Sequence, residues 1–300
     1  MTNKPDFFIV GAPKCGTTAL SEYLRAHPNI HISTPKEPHY FVDDFPSYKE
    51  RMGGEENYLA LFDTDKENAQ CGEASVWYLY SKVAIQNALD FNPNAKFIAM
   101  VRNPLEMAVS LHAQLVWTLD EDTHNFDEAW SMMDERKAGR KIPKKCRESA
   151  FLQYREACQL GGQIERFMNI VPPSQRMIIT FDEFVADTRK AYLSVLDFIG
   201  VADDGKLSFP KVNQAKRNRF EWLAKYTQRP PGFLVDMYLY LRKLFGIKRM
   251  NLLKKVQRVN MLQPKLNKPN SATLAEMKST FQSDVQLLNR KLEGRVSHWL

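Results

Sequence analysis

Phe7-Phe8-Ile9-Val10-Gly11-Ala12-Pro13-Lys14-Cys15-Gly16-Thr17-Thr18-Ala19-Leu20 decides the fold. Four apolar residues in unbroken succession describe a strand buried on both faces, as in a parallel sheet covered by helices on each side. The glycine-bounded turn that follows opens into a helical pattern, Ala19-Leu20-Ser21-Glu22-Tyr23-Leu24. A helix starting there aims its unpaired backbone N–H groups at whatever anion sits in the turn. Thr17 and Thr18 add hydroxyl donors, and Lys14 adds a charge. The stretch reads as a phosphate-binding loop. It is not the NTPase loop G-x-x-x-x-G-K-[ST], because Lys14 precedes Gly16 and Thr17 stands where that lysine belongs.

Similar apolar runs, each ending in a loop and followed by a helical pattern, predict strands at Lys96 to Val101 and Arg176 to Thr180, with a fourth around Gln70 to Glu73. Helices are expected over Thr17 to His27, Lys82 to Phe91, Pro104 to Trp117, Phe126 to Ala138, Ser149 to Asn169, Phe181 to Ile199 and Ala272 to Leu292. Asn103-Pro104 makes a helix start, Asn as the cap and Pro at the first helical position. A further amphipathic segment, Phe233 to Phe245, follows the break Arg229-Pro230-Pro231-Gly232, and Gln263 to Ser271 reads as a loop. The expected architecture is α/β, a P-loop-like parallel sheet flanked by helices. One domain is expected over 1–300, with an α/β core at 5–200 and a basic flap and helical part at 205–300.

Composition narrows the function classes. Hydrophobic residues at 44% and charged residues at 26% are ordinary globular values, which excludes a disordered chain. No apolar run approaches 18 residues, and Met1 to Asp6 lacks the basic start and apolar stretch of a signal peptide, so a cytoplasmic protein without a transmembrane segment is expected. Cys15, Cys71, Cys146 and Cys158 form no C-x-x-C pair or zinc-ligand spacing, so free thiols and no metal are expected. Cys15 lies near a helix N-terminus, which lowers a thiol pKa, but a small side chain filling the loop is the simpler reading. The net charge of +7 is unevenly spread: 205–268 holds 16 Lys and Arg against Glu221 and Asp236, so it carries +14 and the rest of the chain −7. No helix-turn-helix, zinc-finger or RNP pattern accompanies it. An anionic cofactor, an anionic acceptor or peripheral contact with an anionic membrane surface fits better than nucleic acid.

The motif strand-A-P-K-x-G-T-T-x-L resembles the 5′-phosphosulfate loop of sulfotransferases that use 3′-phosphoadenosine-5′-phosphosulfate (PAPS). His27-Pro28-Asn29-Ile30, Lys36-Glu37-Pro38-His39-Tyr40-Phe41, Gly72-Glu73-Ala74-Ser75, Val101-Arg102-Asn103-Pro104 with Ser110, and Phe181-Asp182-Glu183-Phe184 resemble, in order, landmarks of the Golgi-type and bacterial members of that family. The resemblance covers roughly residues 5 to 200 and implies transfer of a sulfuryl group from PAPS to a hydroxyl, most naturally on a carbohydrate or glycolipid, by in-line attack.

Such a donor needs two anion sites. The first is the loop, with Lys14, Cys15, Gly16, Thr17 and Thr18, where Lys14 can meet the oxygen on which charge grows as the sulfuryl group leaves. For the 3′-phosphate the resemblance points to Arg102, at the carboxyl end of a predicted strand, and Ser110, two turns into the next helix. Lys216, Arg217 and Arg219 could flap over that phosphate or form a solvated basic loop. The resemblance places the catalytic base on Glu37; His39 is its chemical rival because imidazole titrates near neutrality. Lys36 holds the carboxylate or contacts the donor. One departure stands out: heparan-type members carry a Lys in the Glu-Lys-Ser/Thr stretch, where this chain has Ala74. His27, His31 and His112 read as structural, and Trp77, Tyr78 and Tyr80 as core. Two other readings remain open from sequence, a nucleotide-dependent phosphotransferase and a non-catalytic nucleotide-binding protein of the same fold. The first lacks the strand-terminal Asp that would hold magnesium.

Overall fold

Phe7, Phe8, Ile9 and Val10 are fully buried, as their unbroken apolar run requires. They build β1 (Phe7–Gly11), the middle strand of a five-stranded sheet. The computed structural model describes residues 4–49, 52–210, 217–220, 223, 227, 261–262 and 268–299. After β1 come α1 (Thr17–Arg25), β2 (Ile30–Ile32), α2 (Pro46–Lys49), α3 (Glu55–Leu59), β3 (Gln70–Ala74), α4 (Ala84–Phe91), β4 (Lys96–Val101) and α5 (Pro104–Trp117). There follow α6 (Phe126–Ser131), α7 (Met133–Lys137), α8 (Tyr154–Cys158), α9 (Leu160–Ile170), β5 (Arg176–Thr180), α10 (Phe181–Ala186) and α11 (Thr188–Ile199). Among the described residues, a two-stranded ribbon of β6 (Arg217–Asn218) and β7 (Met261–Leu262) and a long helix, α12 (Ser271–Lys291), come last.

The sheet order is β2-β3-β1-β4-β5, and every neighbouring pair is parallel. All five strands therefore release their loops at one edge. The order also changes direction at β1, where ligands of open α/β sheets bind. Asn103 caps α5 as its sequence suggests, accepting from the Leu105 amide at 3.0 Å with Pro104 at the first position. α12 packs on α9 and α5. The turn after it is tied to the same sheet edge: the Trp299 indole N–H donates to Asp182 at 2.6 Å, and the Asn103 amide donates to the Trp299 carbonyl at 3.0 Å.

Expected strands and helices recur, with differences. The helix expected over Phe126 to Ala138 is divided at Met132 into α6 and α7, and α2, α3 and the β6–β7 ribbon were not among the expected elements. β2 was not foreseen, being three residues long and interrupted by a polar His31. The helix expected over Ser149 to Asn169 is broken into a 3-10 turn, α8 and α9, with non-helical backbone at Gln153 (ψ 72°) and Gln159 (ψ 81°). The cause is remote: the Asp284 carboxylate of α12 accepts from the amides of Gly161 at 2.7 Å and Gly162 at 3.0 Å, which caps α9 from outside. The helix expected over Phe181 to Ile199 is likewise split at Asp187, whose side chain caps α11 by accepting from the Lys190 amide at 2.9 Å. The segment 233–245, the basic stretch 248–258 and Lys216 lie outside the described residues. All four cysteines are free thiols. Among the described residues, no helix is long and apolar enough to cross a membrane.

Candidate active site

Each strand end contributes to one site. The turn after β1 is the loop read from sequence. Gly11, at φ +139°, has no room for a side chain, because a Cβ would lie 2.5 Å from the Val76 carbonyl. Gly16, at φ +92°, ends the turn as the N-cap of α1 and offers no side-chain cap to that helix. The N–H groups of the first turn are thus left for an outside acceptor, the arrangement that suits an anion. Thr17 is buried and Thr18 half-buried beside them. Cys15 is fully buried, and burial pushes its thiol up to about 12 against the pull of Arg102 and Lys14, so it fills space and is not a reactive thiolate.

The chain leaving β2 carries Lys36, Glu37 and His39. Lys36 Nζ lies 3.3 Å from Thr18 Oγ1 and 2.6 Å from Glu37 Oε1, so one ammonium joins the phosphate loop to the candidate base. Burial tends to raise the Glu37 pKa, but the charges and hydrogen bonds of Lys36 and His39 outweigh it and hold the carboxyl well below the usual range. His39 Nε2 sits 3.6 Å from Glu37 Oε2. The His39 ring is 2% exposed and packs edge-on against Tyr48, whereas the Glu37 side chain is 31% exposed. The two rivals for the base are therefore layered, Glu37 outward and His39 behind it. Lys14, Glu37 and His39 all have positive φ, at 65°, 63° and 53°. For residues with side chains this backbone is costly and gathers at functional sites.

Arg102, at the end of β4, donates to the Lys14 carbonyl at 3.2 Å and to Glu106 Oε2 at 2.7 Å, and its guanidinium lies 4.4 Å from the centre of the Phe181 ring. Glu106 thus pairs with this strand-terminal Arg from one turn into α5, yet Arg102 still faces the loop. Ser110 is buried on α5. β6, which contains Arg217, packs against α5. Arg219 is exposed, with its guanidinium over Phe220. The structure therefore brings Lys14 to Thr18, Lys36, Glu37, His39 and Arg102 into one network of contacts and sets the Arg217 backbone beside the helix of Ser110. His27, His31 and His112 each bond a backbone carbonyl at 2.8 to 3.0 Å, as structural histidines do. Among the described residues no cluster of His, Cys, Asp or Glu could hold a metal.

The sulfotransferase domain family model matches residues 4–243, the span that includes every strand of this sheet. The chain belongs to the sulfotransferase family. A sulfotransferase from Alicyclobacillus acidocaldarius superposes with a TM-score of 0.61 at 29% identity, covering 84% of this chain and 99% of that one. Carbohydrate sulfotransferase 15 of Homo sapiens is 33% identical over 147 residues, 35% of this chain and 26% of the relative. Bifunctional heparan sulfate N-deacetylase/N-sulfotransferase 3 of Homo sapiens is 28% identical over 205 residues, 66% of this chain and 22% of the relative. The chain thus spans about a quarter of the length of these curated relatives.

In this sulfotransferase sequence reasoning missed one group, Glu73 with Ser75, quoted within a family landmark and for the lysine absent between them but given no role. Ser75 Oγ accepts from the His39 amide at 3.0 Å, so this pair supports the loop of the candidate base. An acid and a hydroxyl at the end of a buried strand were the available signal.

Proposed function

We propose that this sulfotransferase moves a sulfuryl group from PAPS to a carbohydrate or glycolipid hydroxyl and releases adenosine 3′,5′-bisphosphate. The observation that carries the reading is the Lys36 bridge, 2.6 Å from Glu37 and 3.3 Å from Thr18, because it couples an anion-binding loop to a general base. The uncapped α1 N-terminus and the closely packed Gly11 support the fit of a phosphosulfate to the loop. When bound, the donor supplies the sulfuryl group and a good leaving group.

The chain's own residues divide the work. Arg102 and Ser110 hold the 3′-phosphate. Glu37 accepts the proton of the attacking hydroxyl as the acceptor oxygen bonds to sulfur and the bond from sulfur to the bridging oxygen breaks. Lys14 stabilises the charge left on that oxygen. Lys36 turns from Glu37 toward the incoming anion, which releases the carboxylate and raises its basicity just when a base is needed. Relatives named for carbohydrate and heparan sulfate transfer support a glycan acceptor.

Two measurements test this reading. Incubation with labelled PAPS and glycan, glycolipid and phenolic pools should transfer label to the first or second pool; label confined to phenols would overturn the acceptor class. Adenosine 3′,5′-bisphosphate should raise the Tm without added metal, since a ligand at a hundredfold excess over its Kd stabilises by about 2.7 kcal/mol. Stabilisation by ATP with magnesium alone would sink the donor assignment.

Arg102→Ala should weaken the bisphosphate by roughly 1.5 to 3 kcal/mol, the worth of a charge-assisted bond to phosphate. An unchanged Kd by calorimetry would remove Arg102 from the 3′-phosphate site.

A further inference from the structure

Behind the loop of Glu37 lies a carboxylate that cannot reach a substrate. Glu73, next to last in β3, is fully buried. Ser75 Oγ donates to its Oε1 at 2.5 Å, the Tyr58 hydroxyl donates to its Oε2, and the Tyr78 hydroxyl reaches the same carboxylate. Burial raises the Glu73 carboxyl to about 7 even against the three hydroxyls, which pull it toward the charged form. A buried charge this well satisfied is tolerable, and losing any of its donors is costly.

Each of the three hydroxyl side chains also grips one residue of the neighbouring loop, and the three residues are consecutive. Ser75 Oγ accepts from the His39 amide at 3.0 Å. The Tyr58 ring stacks on Tyr40, centroids 4.2 Å apart and planes within 8°. The Tyr78 hydroxyl accepts from the Phe41 amide at 3.3 Å. Two residues upstream of this grip stands Glu37, which, like His39, has a positive φ that its local sequence disfavours. For Glu37 above all, whose side chain does nothing to favour this conformation, an outside clamp must hold the backbone.

We propose that Glu73 is a positioning residue for sulfuryl transfer: through Ser75, Tyr58 and Tyr78 it fixes the backbone of residues 39–41 and so aims Glu37 at the acceptor hydroxyl. The proposal rests on Glu37 being the base. It accounts for why a buried acid stands at the end of β3, beside the strand that delivers the phosphate loop. The phosphate loop and the base loop are thereby referenced to neighbouring strands of one rigid sheet, the placement that catalytic groups need.

The experiment is a double-mutant cycle between Glu73→Gln and Glu37→Gln, reading kcat, the Kd for adenosine 3′,5′-bisphosphate and Tm. Gln keeps the shape of Glu73, but its amide nitrogen donates where a hydroxyl must also donate. In Glu73→Gln, kcat should fall about 10-fold to 100-fold, the effect of a misaimed catalytic group, with the bisphosphate Kd within twofold of wild type. In the Glu37→Gln background the same change should cost nothing further, because the group it aims is already gone. An equal further loss there, or a wild-type kcat in Glu73→Gln, overturns the proposal while leaving the base assignment intact. A wild-type kcat in Glu37→Gln alone removes the base assignment and this proposal together. Should Glu73→Gln fail to fold, Ser75→Ala takes its place, with Ser75→Thr as rescue. Loss of kcat in the first and recovery in the second supports the clamp, and a wild-type kcat in Ser75→Ala overturns it.

Discussion

Glu37→Gln should lower kcat by about 10²-fold to 10⁴-fold, the usual worth of a positioned general base, while the Kd for adenosine 3′,5′-bisphosphate does not rise. The substitution keeps the size of the side chain and removes its charge. Lys36, now bonded to Glu37 at 2.6 Å, loses that attraction but keeps Thr18 within 3.3 Å, so the ammonium stays at the donor site. His39→Ala should do less. Its ring is 2% exposed and lies behind Glu37, so it supports the carboxylate without meeting the acceptor. Held low by Lys36 and His39, Glu37 stays charged in the free protein throughout the neutral range. As a group with a depressed pKa, it loses its charge in the free protein only when the pH falls below the ordinary carboxylate range. Steady-state kinetics on both variants, with calorimetry for the bisphosphate, decide the matter. Near-normal turnover in Glu37→Gln with a deep loss in His39→Ala would reverse the two roles.

How much of this arrangement the sequence disclosed follows from how local each signal is. β4 and β5 match their expected bounds because an apolar run closed by a loop is complete in itself. The turn between β1 and α1 was legible for the same reason: strand, glycines, lysine and helix are contiguous. The break between α8 and α9 was not, because the Asp284 carboxylate that causes it stands on another helix over a hundred residues later, and apolar periodicity runs on through the break. Cys15 shows two effects competing. A helix N-terminus lowers a thiol pKa, but full burial, which sequence does not reveal, pushes it up to about 12. Of the two readings of Lys36, the structure shows the first, its ammonium bonded to Glu37, and sets the same ammonium 3.3 Å from Thr18. Least visible was the Glu73 hub, because Tyr58, Ser75 and Tyr78 converge with residues 39–41 only after α3 and β3 are packed.

Lys14→Ala should reduce kcat by about 10²-fold to 10³-fold, the loss expected when a preorganised charge is removed from the atom where charge develops, with a smaller rise in the Kd for the bisphosphate. The geometry lets this substitution isolate the ammonium. Lys14 holds its backbone at φ 65°, and its carbonyl accepts from Arg102 at 3.2 Å. Alanine meets the same cost in that conformation as lysine does, and the bond to Arg102 involves only the main chain, so the loop keeps its shape. Glycines at 11 and 16 bend the chain on either side regardless of what stands at position 14. The remaining difference is the side chain beyond Cβ, a half-buried methylene stem that ends in one positive charge. If it acts on the leaving oxygen, it binds the transition state more tightly than donor or product, and kcat falls further than affinity. Single-turnover rates at saturating PAPS, set beside calorimetry with the bisphosphate, separate the two. An affinity loss equal to or larger than the loss in rate would make Lys14 a ground-state phosphate binder and transfer the stabilisation of the leaving group to Lys36, whose ammonium also reaches this loop.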